Sequence, residues 1–225
     1  MHSNPAQKTS ELMTDEFKWQ AATLGRRAVE ALKRNYFDAL YVDVVPEAVA
    51  LVIKYIKPGY TVGFGGSKTT KHMGLTDAVT KAGGVILDHN DPELTPEQRT
   101  EAMRLQQVCD VFICSSNAVT LDGALCNVDG NGNRISAMIF GPRKVVVIAG
   151  TNKICKDEAA AWERVRAIAA PLNMKRLDRP NPCTKSGQCM DCNLPTRGCN
   201  AYLTLRKKPS LADFTVIIVG ETLGY

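Results

Sequence analysis

An open, mainly parallel α/β sheet covered by helices on both faces is the fold class this sequence predicts, and three observations predict it. Five short runs are apolar and rich in β-branched residues: "YTVGF" (60–64), "GVILDH" (84–89), "CDVFICSS" (109–116), "KVVVIAG" (144–150) and "DFTVIIVG" (213–220). Helical patterns around 72–82, 95–107 and 156–170 separate most of them. Strands that are apolar throughout, alternating with helices, belong to parallel sheets buried on both sides. The chain has 225 residues and is 44% hydrophobic, enough to build one large core.

Two helices come before the first of these strands. Thr14 suits the start of a helix, Asp15 and Glu16 favour its first turn, and Phe17, Ala21, Leu24, Ala28, Ala31 and Leu32 recur at helical spacing. Residues 1–14 read as a tail and 15–225 as a single domain. In "VVPEAVALVIKYIKPG", Pro46 falls where a first turn tolerates it, and Lys57-Pro58-Gly59 is the expected stop. One insertion breaks the alternation. Residues 117–136 contain short strand-like pieces punctuated by Asp122-Gly123 and by Asp129-Gly130-Asn131-Gly132-Asn133, both hairpin signals. Residues 171–210, rich in Pro, Asn and Cys, read as an irregular appendage.

Composition excludes several function classes. The net charge is +5, yet the densest basic run is Arg206-Lys207-Lys208, so no nucleic-acid footprint is expected. No apolar run is long enough to span a bilayer. "MHSNPAQKTSELMTDEF" lacks the apolar centre of a secretory signal, which points to the cytoplasm and to reduced cysteines.

Three places carry chemistry. In "VGFGGSKTT" (62–70) a strand runs into Gly63, Gly65 and Gly66, then Ser67, Lys68, Thr69 and Thr70. Glycines let a ligand approach the backbone, and hydroxyl and N–H groups suit an anion. The spacing is neither that of a P-loop nor that of a dinucleotide fingerprint, and a tight turn would also need small residues. Polar residues end other strands: Ser115-Ser116-Asn117, Thr151-Asn152-Lys153 and Glu221. Ligands of open parallel sheets bind beyond such ends, so these groups converge on one crevice with the glycine loop. Turn chemistry by itself explains Asp129–Asn133.

The third place is "PCTKSGQCMDCNLPTRGCN", with Cys183, Cys189, Cys192 and Cys199 inside seventeen residues and no His among them. Structural zinc favours two C-x2-C knuckles or added His, and only one knuckle is present. A [4Fe–4S] cluster takes four thiolates at irregular spacing and is the preferred reading; zinc and free thiols are the alternatives. Cys109, Cys114, Cys126 and Cys155 lie on or beside apolar strands and read as buried thiols.

"GFGGSKTT", "SSNAVTLDGALCNVDGNGNRISAMIFGPRKVVVIAGTNKI", "AAPLNMKRL" and "VIIVGETLGY" resemble the LUD domain, a family that includes lactate-utilisation protein C. The resemblance runs from about residue 15 to the C-terminus. It implies a fold similar to the glucosamine-phosphate deaminase, ribose-phosphate isomerase and CoA-transferase group, whose glycine loop binds phosphate or an acyl-thioester. It places Gly63, Gly65, Gly66, Ser67, Lys68 and Thr69 toward the ligand, with Asp122, Asn127 and Asp129 across from them. Ser116 and Asn117 join the ligand set, and Glu221, Asp129 and Lys153 are the candidates for catalysis. The implied ligand is a small anionic organic acid, a phosphate or a thioester. Lactate-linked members imply iron–sulfur redox partner proteins and oxidation of L-lactate to pyruvate; a homo-oligomer is compatible with this. The four-cysteine motif is an addition that the LUD fold does not require. The alternative is a non-redox isomerase or transferase, or a ligand-binding subunit, with the metal as a staple.

Overall fold

The computed structural model describes residues 14–225, so the expected tail lies, except for Thr14, outside the described residues. Six strands form one parallel sheet: β1 (Asp38–Val42), β2 (Thr61–Phe64), β3 (Val85–Leu87), β4 (Val111–Cys114), β7 (Lys144–Gly150) and β10 (Asp213–Val219). Their spatial order is β1-β10-β7-β4-β2-β3. The five runs read from sequence all lie in this sheet. Their uniform apolarity has the expected cause. Along β7, Val145, Val147 and Ala149 pack into a core with Leu32, Phe112 and Phe214, while Val146 and Ile148 pack into a second core with Val52, Leu75 and Val79.

Helices supply both covers. α1 (Asp15–Arg34) carries acidic residues in its first turn and Lys33 and Arg34 in its last, and buries Ala28, Val29, Ala31 and Leu32. Thr14 stands at its N-cap but makes no side-chain cap bond. α2 (Val45–Ile53) and α4 (Leu75–Lys81) cover the opposite face. α2 ends short of the Lys57-Pro58-Gly59 stop. Lys54, Tyr55 and Ile56 donate N–H bonds to Leu51, Val52 and Ile53, an i to i−3 pattern that tightens the chain before the proline is reached. Between these, α3 (Lys68–His72) follows the glycine loop, and α5 (Pro96–Leu105) starts with a capping box between Thr95 and Gln98.

A second, four-stranded sheet has the order β8-β5-β6-β9: β5 (Ala118–Thr120), β6 (Leu125–Asp129), β8 (Ile154–Cys155) and β9 (Ala201–Leu205). β5 and β6 form the expected antiparallel hairpin, turning at Asp122-Gly123. Gly123 has φ +86°, and a Cβ there would lie 2.5 Å from the Ala31 carbonyl carbon, so this turn closes directly on α1.

Three expectations need correction. The Asp129–Asn133 signal is no hairpin: Asp129 Oδ1 accepts from the N–H groups of Asn131 (3.1 Å) and Gly132 (2.8 Å), and the chain enters α6 (Asn133–Ile139). An Asx turn and a hairpin turn use the same residues. Residues 171–210 are not irregular throughout. α7 (Glu158–Arg164) runs through a π-helical turn into α8 (Ala170–Arg176); a short α9 (Cys183–Ser186) and β9 follow. β1 and β9 are strands the sequence reading missed; each is five residues long and partly exposed, and so lacks the continuous apolar run that marks the central strands of the sheet. No helix among the described residues is long and apolar enough to cross a membrane.

Candidate functional site

The carboxyl ends of β2, β4 and β7 open into a crevice of about 560 Å³, within the range of small-ligand sites. Gly65, Gly66, Ser67, Lys68 and Thr69 form one wall, and Ser115, Ser116 and Asn117 form the floor. Lys153 and Asp129 complete the part foreseen from sequence.

The glycine loop has a backbone reason for its composition. A Cβ on Gly65 would sit 2.8 Å from Cys114 Cβ, and Gly66 has φ +65°, where L-residues are strained. Ser67 then caps α3, accepting from the Thr70 N–H at 3.4 Å.

Four residues assigned to the ligand or to catalysis stand elsewhere. Gly63 is inside β2, where a Cβ would meet Gln106 and Phe112 at about 3 Å; it serves packing. Asp122 is exposed at the far end of the hairpin and accepts from Thr120 Oγ1. Asn127 is fully buried, accepting from the Asn117 N–H (3.2 Å) and donating to Ser116 Oγ (3.1 Å). Glu221 accepts from the Val45 N–H at 2.8 Å, capping the start of α2 outside the crevice lining. Buried backbone and amide groups must be paired, and Asn127 and Glu221 pair them. Ser116 lines the floor, but its hydroxyl donates to the Ala118 carbonyl at 2.7 Å.

Cations dominate the lining. Lys68, Arg99, Arg176 and Arg179 are in no salt bridge among the described residues, whereas the one acidic side chain, Asp129, is bridged to Arg134 at 3.3 Å. Arg134 also donates to the Ser115 carbonyl (3.3 Å) and to Asn117 Oδ1 (3.0 Å), tying the ends of β4 and β6 together. An anion is the ligand such a lining suits.

Lys153 is 3% exposed, and its Nζ lies 2.9 Å from both Thr69 Oγ1 and Ser115 Oγ. Burial first, then the charges of Arg164 and Arg134, lower its pKa to about 7, with Cys114 opposing. The unfolded lysine, near 10.4, binds the extra proton between those values, so stability rises with pH from about 7 to about 10.4 and is flat below that window for this group. Urea unfolding from pH 7 to 9.5 should show the stability of wild type gaining on that of Lys153→Met; a constant difference across that range would contradict the assignment.

His89 was not foreseen. Its Nδ1 is 3.1 Å from Gln106 Oε1, and Gln106 Nε2 donates to the Leu87 carbonyl at 2.6 Å. That amide orientation leaves Nδ1 as the donor and Nε2 as a bare acceptor beside Gly66. Burial lowers the ring's pKa, against the hydrogen bond to Gln106. Tyr225 Oη is buried in the lining without a hydrogen-bond partner among the described residues. Arg134, His89, Arg176 and Tyr225 all lie in stretches already quoted, but within runs read for other residues; Arg99 and Arg179 come from segments that no motif marks.

The four clustered cysteines line one small, apolar-walled cavity with Met174, Met190 and Asn181. Among the described residues no group of three or more His, Cys, Asp or Glu is close enough to hold a single metal ion. Burial, then the neighbouring Cys189, pushes the Cys199 thiol up to about 11, and burial, then Cys192, raises Cys183. Ionising these thiols together therefore requires a compensating cation. The surrounding groups fit a thiolate-ligated cluster. The Asp191 N–H points to Cys189 Sγ and Asn181 Nδ2 to Cys192 Sγ, each at 3.4 Å. Arg197 donates to the carbonyls of Cys192 (2.6 Å) and Cys199 (2.9 Å). Burial likewise raises the thiols outside the nest, Cys109, Cys126 and Cys155, and Cys114 to about 12.

The nest and the crevice share a wall. Arg197, Gly198 and Cys199 line both, and Asn200 donates its N–H to the Asp129 carbonyl at 3.0 Å.

Residues 25–219 match the family model described as the LUD domain. A crystal structure of a DUF162 family protein from Deinococcus radiodurans superposes with a TM-score of 0.48 at 11% identity, covering 88% of this chain and 98% of the other. eIF2B beta from Chaetomium thermophilum gives a TM-score of 0.32 at 15% identity, over 51% of this chain and 44% of that one. No curated protein matches.

Proposed function

The chain belongs to the LUD domain family, and on that premise we propose that it is an iron–sulfur protein acting in the redox metabolism of a small organic acid, in its finest form oxidation of L-lactate to pyruvate beside partner subunits. One observation carries this reading: four thiols surround a single cavity whose wall is also a wall of a cationic crevice. Cys183, Cys189, Cys192 and Cys199 would hold a [4Fe–4S] cluster, which supplies one-electron chemistry when bound.

The chain's own residues account for the acid. Lys68, Arg99, Arg176 and Arg179 offer charge to a carboxylate. His89 Nε2, held as an acceptor by Gln106, suits a ligand hydroxyl. Asp129 and Arg134 neutralise each other and keep the shared wall in register with β6. Lys153, whose pKa burial lowers to about 7, is partly unprotonated at neutral pH and so can accept a proton there, which an ordinary lysine, already charged, cannot.

Anaerobic purification followed by metal and sulfide analysis tests the reading. About four iron and four sulfide per chain, with brown colour, are expected. Stoichiometric zinc without sulfide would replace the redox reading with a structural metal beside a non-redox crevice.

A further inference from the structure

Three buried side chains of the crevice lining, Lys153, Thr69 and Ser115, meet at its floor. Lys153 Nζ lies 2.9 Å from Thr69 Oγ1 and 2.9 Å from Ser115 Oγ. Thr69 donates its own proton to the Leu223 carbonyl at 3.3 Å, so it accepts from Lys153. A charged lysine donates to both hydroxyls; on losing its proton it can keep an N–H on Thr69 and turn its lone pair to the Ser115 hydroxyl. The other acceptor open to the Ser115 hydroxyl is the Ser116 carbonyl at 3.3 Å, farther away than Nζ. A nucleophile, a base in hydrogen-bond reach and a third group orienting that base is the arrangement that activates a serine.

We propose that Ser115 is an acyl-accepting nucleophile, activated by Lys153 and oriented through Thr69, and that the crevice transfers the acyl group of an anionic ester or thioester. In the forward step the Ser115 proton passes to Lys153 Nζ as Oγ bonds to the acyl carbon. The carbon–sulfur or carbon–oxygen bond then breaks, and the departing thiolate or alkoxide takes the proton back from Lys153. Water or a second acceptor resolves the acyl-serine with Lys153 again as base, so no oxidant or reductant is consumed.

Other features agree. Ser115 follows the last residue of β4, at a strand end where open sheets bind ligands. The pKa near 7 leaves a substantial share of Lys153 unprotonated at neutral pH. Arg134 donates to the Ser115 carbonyl and so fixes the backbone that carries the nucleophile. Gly65 and Gly66 bring the opposite wall close without side chains. The activity goes beyond the redox reading and does not require the metal.

The test uses the full-length protein and two serine-reactive probes, p-nitrophenyl acetate and a fluorophosphonate. A burst of about one p-nitrophenolate per chain and a mass adduct on the peptide carrying Ser115 are expected. Ser115→Ala should abolish both. Lys153→Met should slow acylation about a hundredfold or more and remove a rise in rate centred near pH 7, while Lys153→Arg, which stays protonated, should not restore it. No adduct, or an adduct on any other residue, in the wild-type protein overturns the proposal, and this arm holds even where a variant fails to fold. Metal analysis of the same preparation keeps the outcome separate from that of the redox reading.

Discussion

Cys192→Ser is expected to abolish iron and sulfide incorporation, taking both from about four per chain to well below one. The segment around it is held by few other forces. Met190 is 55% exposed, Leu194 is 42% exposed, and the cysteines other than Cys183 are only partly buried. Arg197 fastens the loop by donating to Cys192, Cys199 and Asp191, but the carbonyls it holds belong to the same loop. So short a nest buries too little apolar surface to order itself, and on the proposed reading a bound cluster would supply the difference. Trypsin should therefore cut the variant after Lys185 or Arg197 while leaving the intact wild type resistant. Far-ultraviolet circular dichroism should change little, because the six-stranded sheet has its own cores. Cys126→Ser is the internal control: its thiol lies on β6, outside the nest lining, and the metal content should stay at the wild-type level. Equal metal loss in both variants, or none in Cys192→Ser, would separate the nest from the metal.

The second large effect is expected at Gly66. Its φ of +65° costs any L-residue about 1–2 kcal/mol, and more for a β-branched one. A Cβ alone would lie 3.5 Å from His89 Nε2, an ordinary contact. The two methyls of valine extend past that point, toward the acceptor nitrogen and into the crevice. Gly66→Val should weaken binding of L-lactate, pyruvate or phosphate, whichever the wild type binds, by about a hundredfold, the scale of an ångström-level misplacement. Gly66→Ala should retain much of the affinity, since it adds the strain without the reach. Calorimetric titration of the three proteins with these anions, beside thermal melts, separates lost binding from lost folding. Equal affinities in Gly66→Val and wild type would reduce the loop to a tight turn.

The difference between Gly66 and Gly63 shows how far a sequence reading reaches. Both stand in "VGFGG", and both were read as facing a ligand. Only Gly65 and Gly66 line the crevice; Gly63 is glycine because Gln106, Phe112 and Cys109 crowd its position within β2. Sequence alone determined that residues 60–64, 84–89, 109–116, 144–150 and 213–220 are strands of a parallel sheet, since burial of its central strands on both faces leaves continuous apolar runs; 84–89 became an edge strand, with Val85 51% exposed. It also determined that a glycine loop and polar strand ends gather at one edge, because parallel connections bring all carboxyl ends to the same side. It grouped four cysteines, since their spacing is local. What tertiary structure decided was the use of each polar side chain. Glu221 and Asn127 satisfy backbone N–H groups, whereas Lys153, Thr69 and Ser115, separated by 38 residues or more, meet within hydrogen-bond distance. Tertiary structure also set the cysteine nest against the crevice, through the pairing of β9 with β6 that places Asn200 on the Asp129 carbonyl. The physical reason is one of range. Hydrophobic periodicity is written into neighbouring residues, but the partner of a buried polar group is chosen by strand order and helix packing, which bring distant segments into contact.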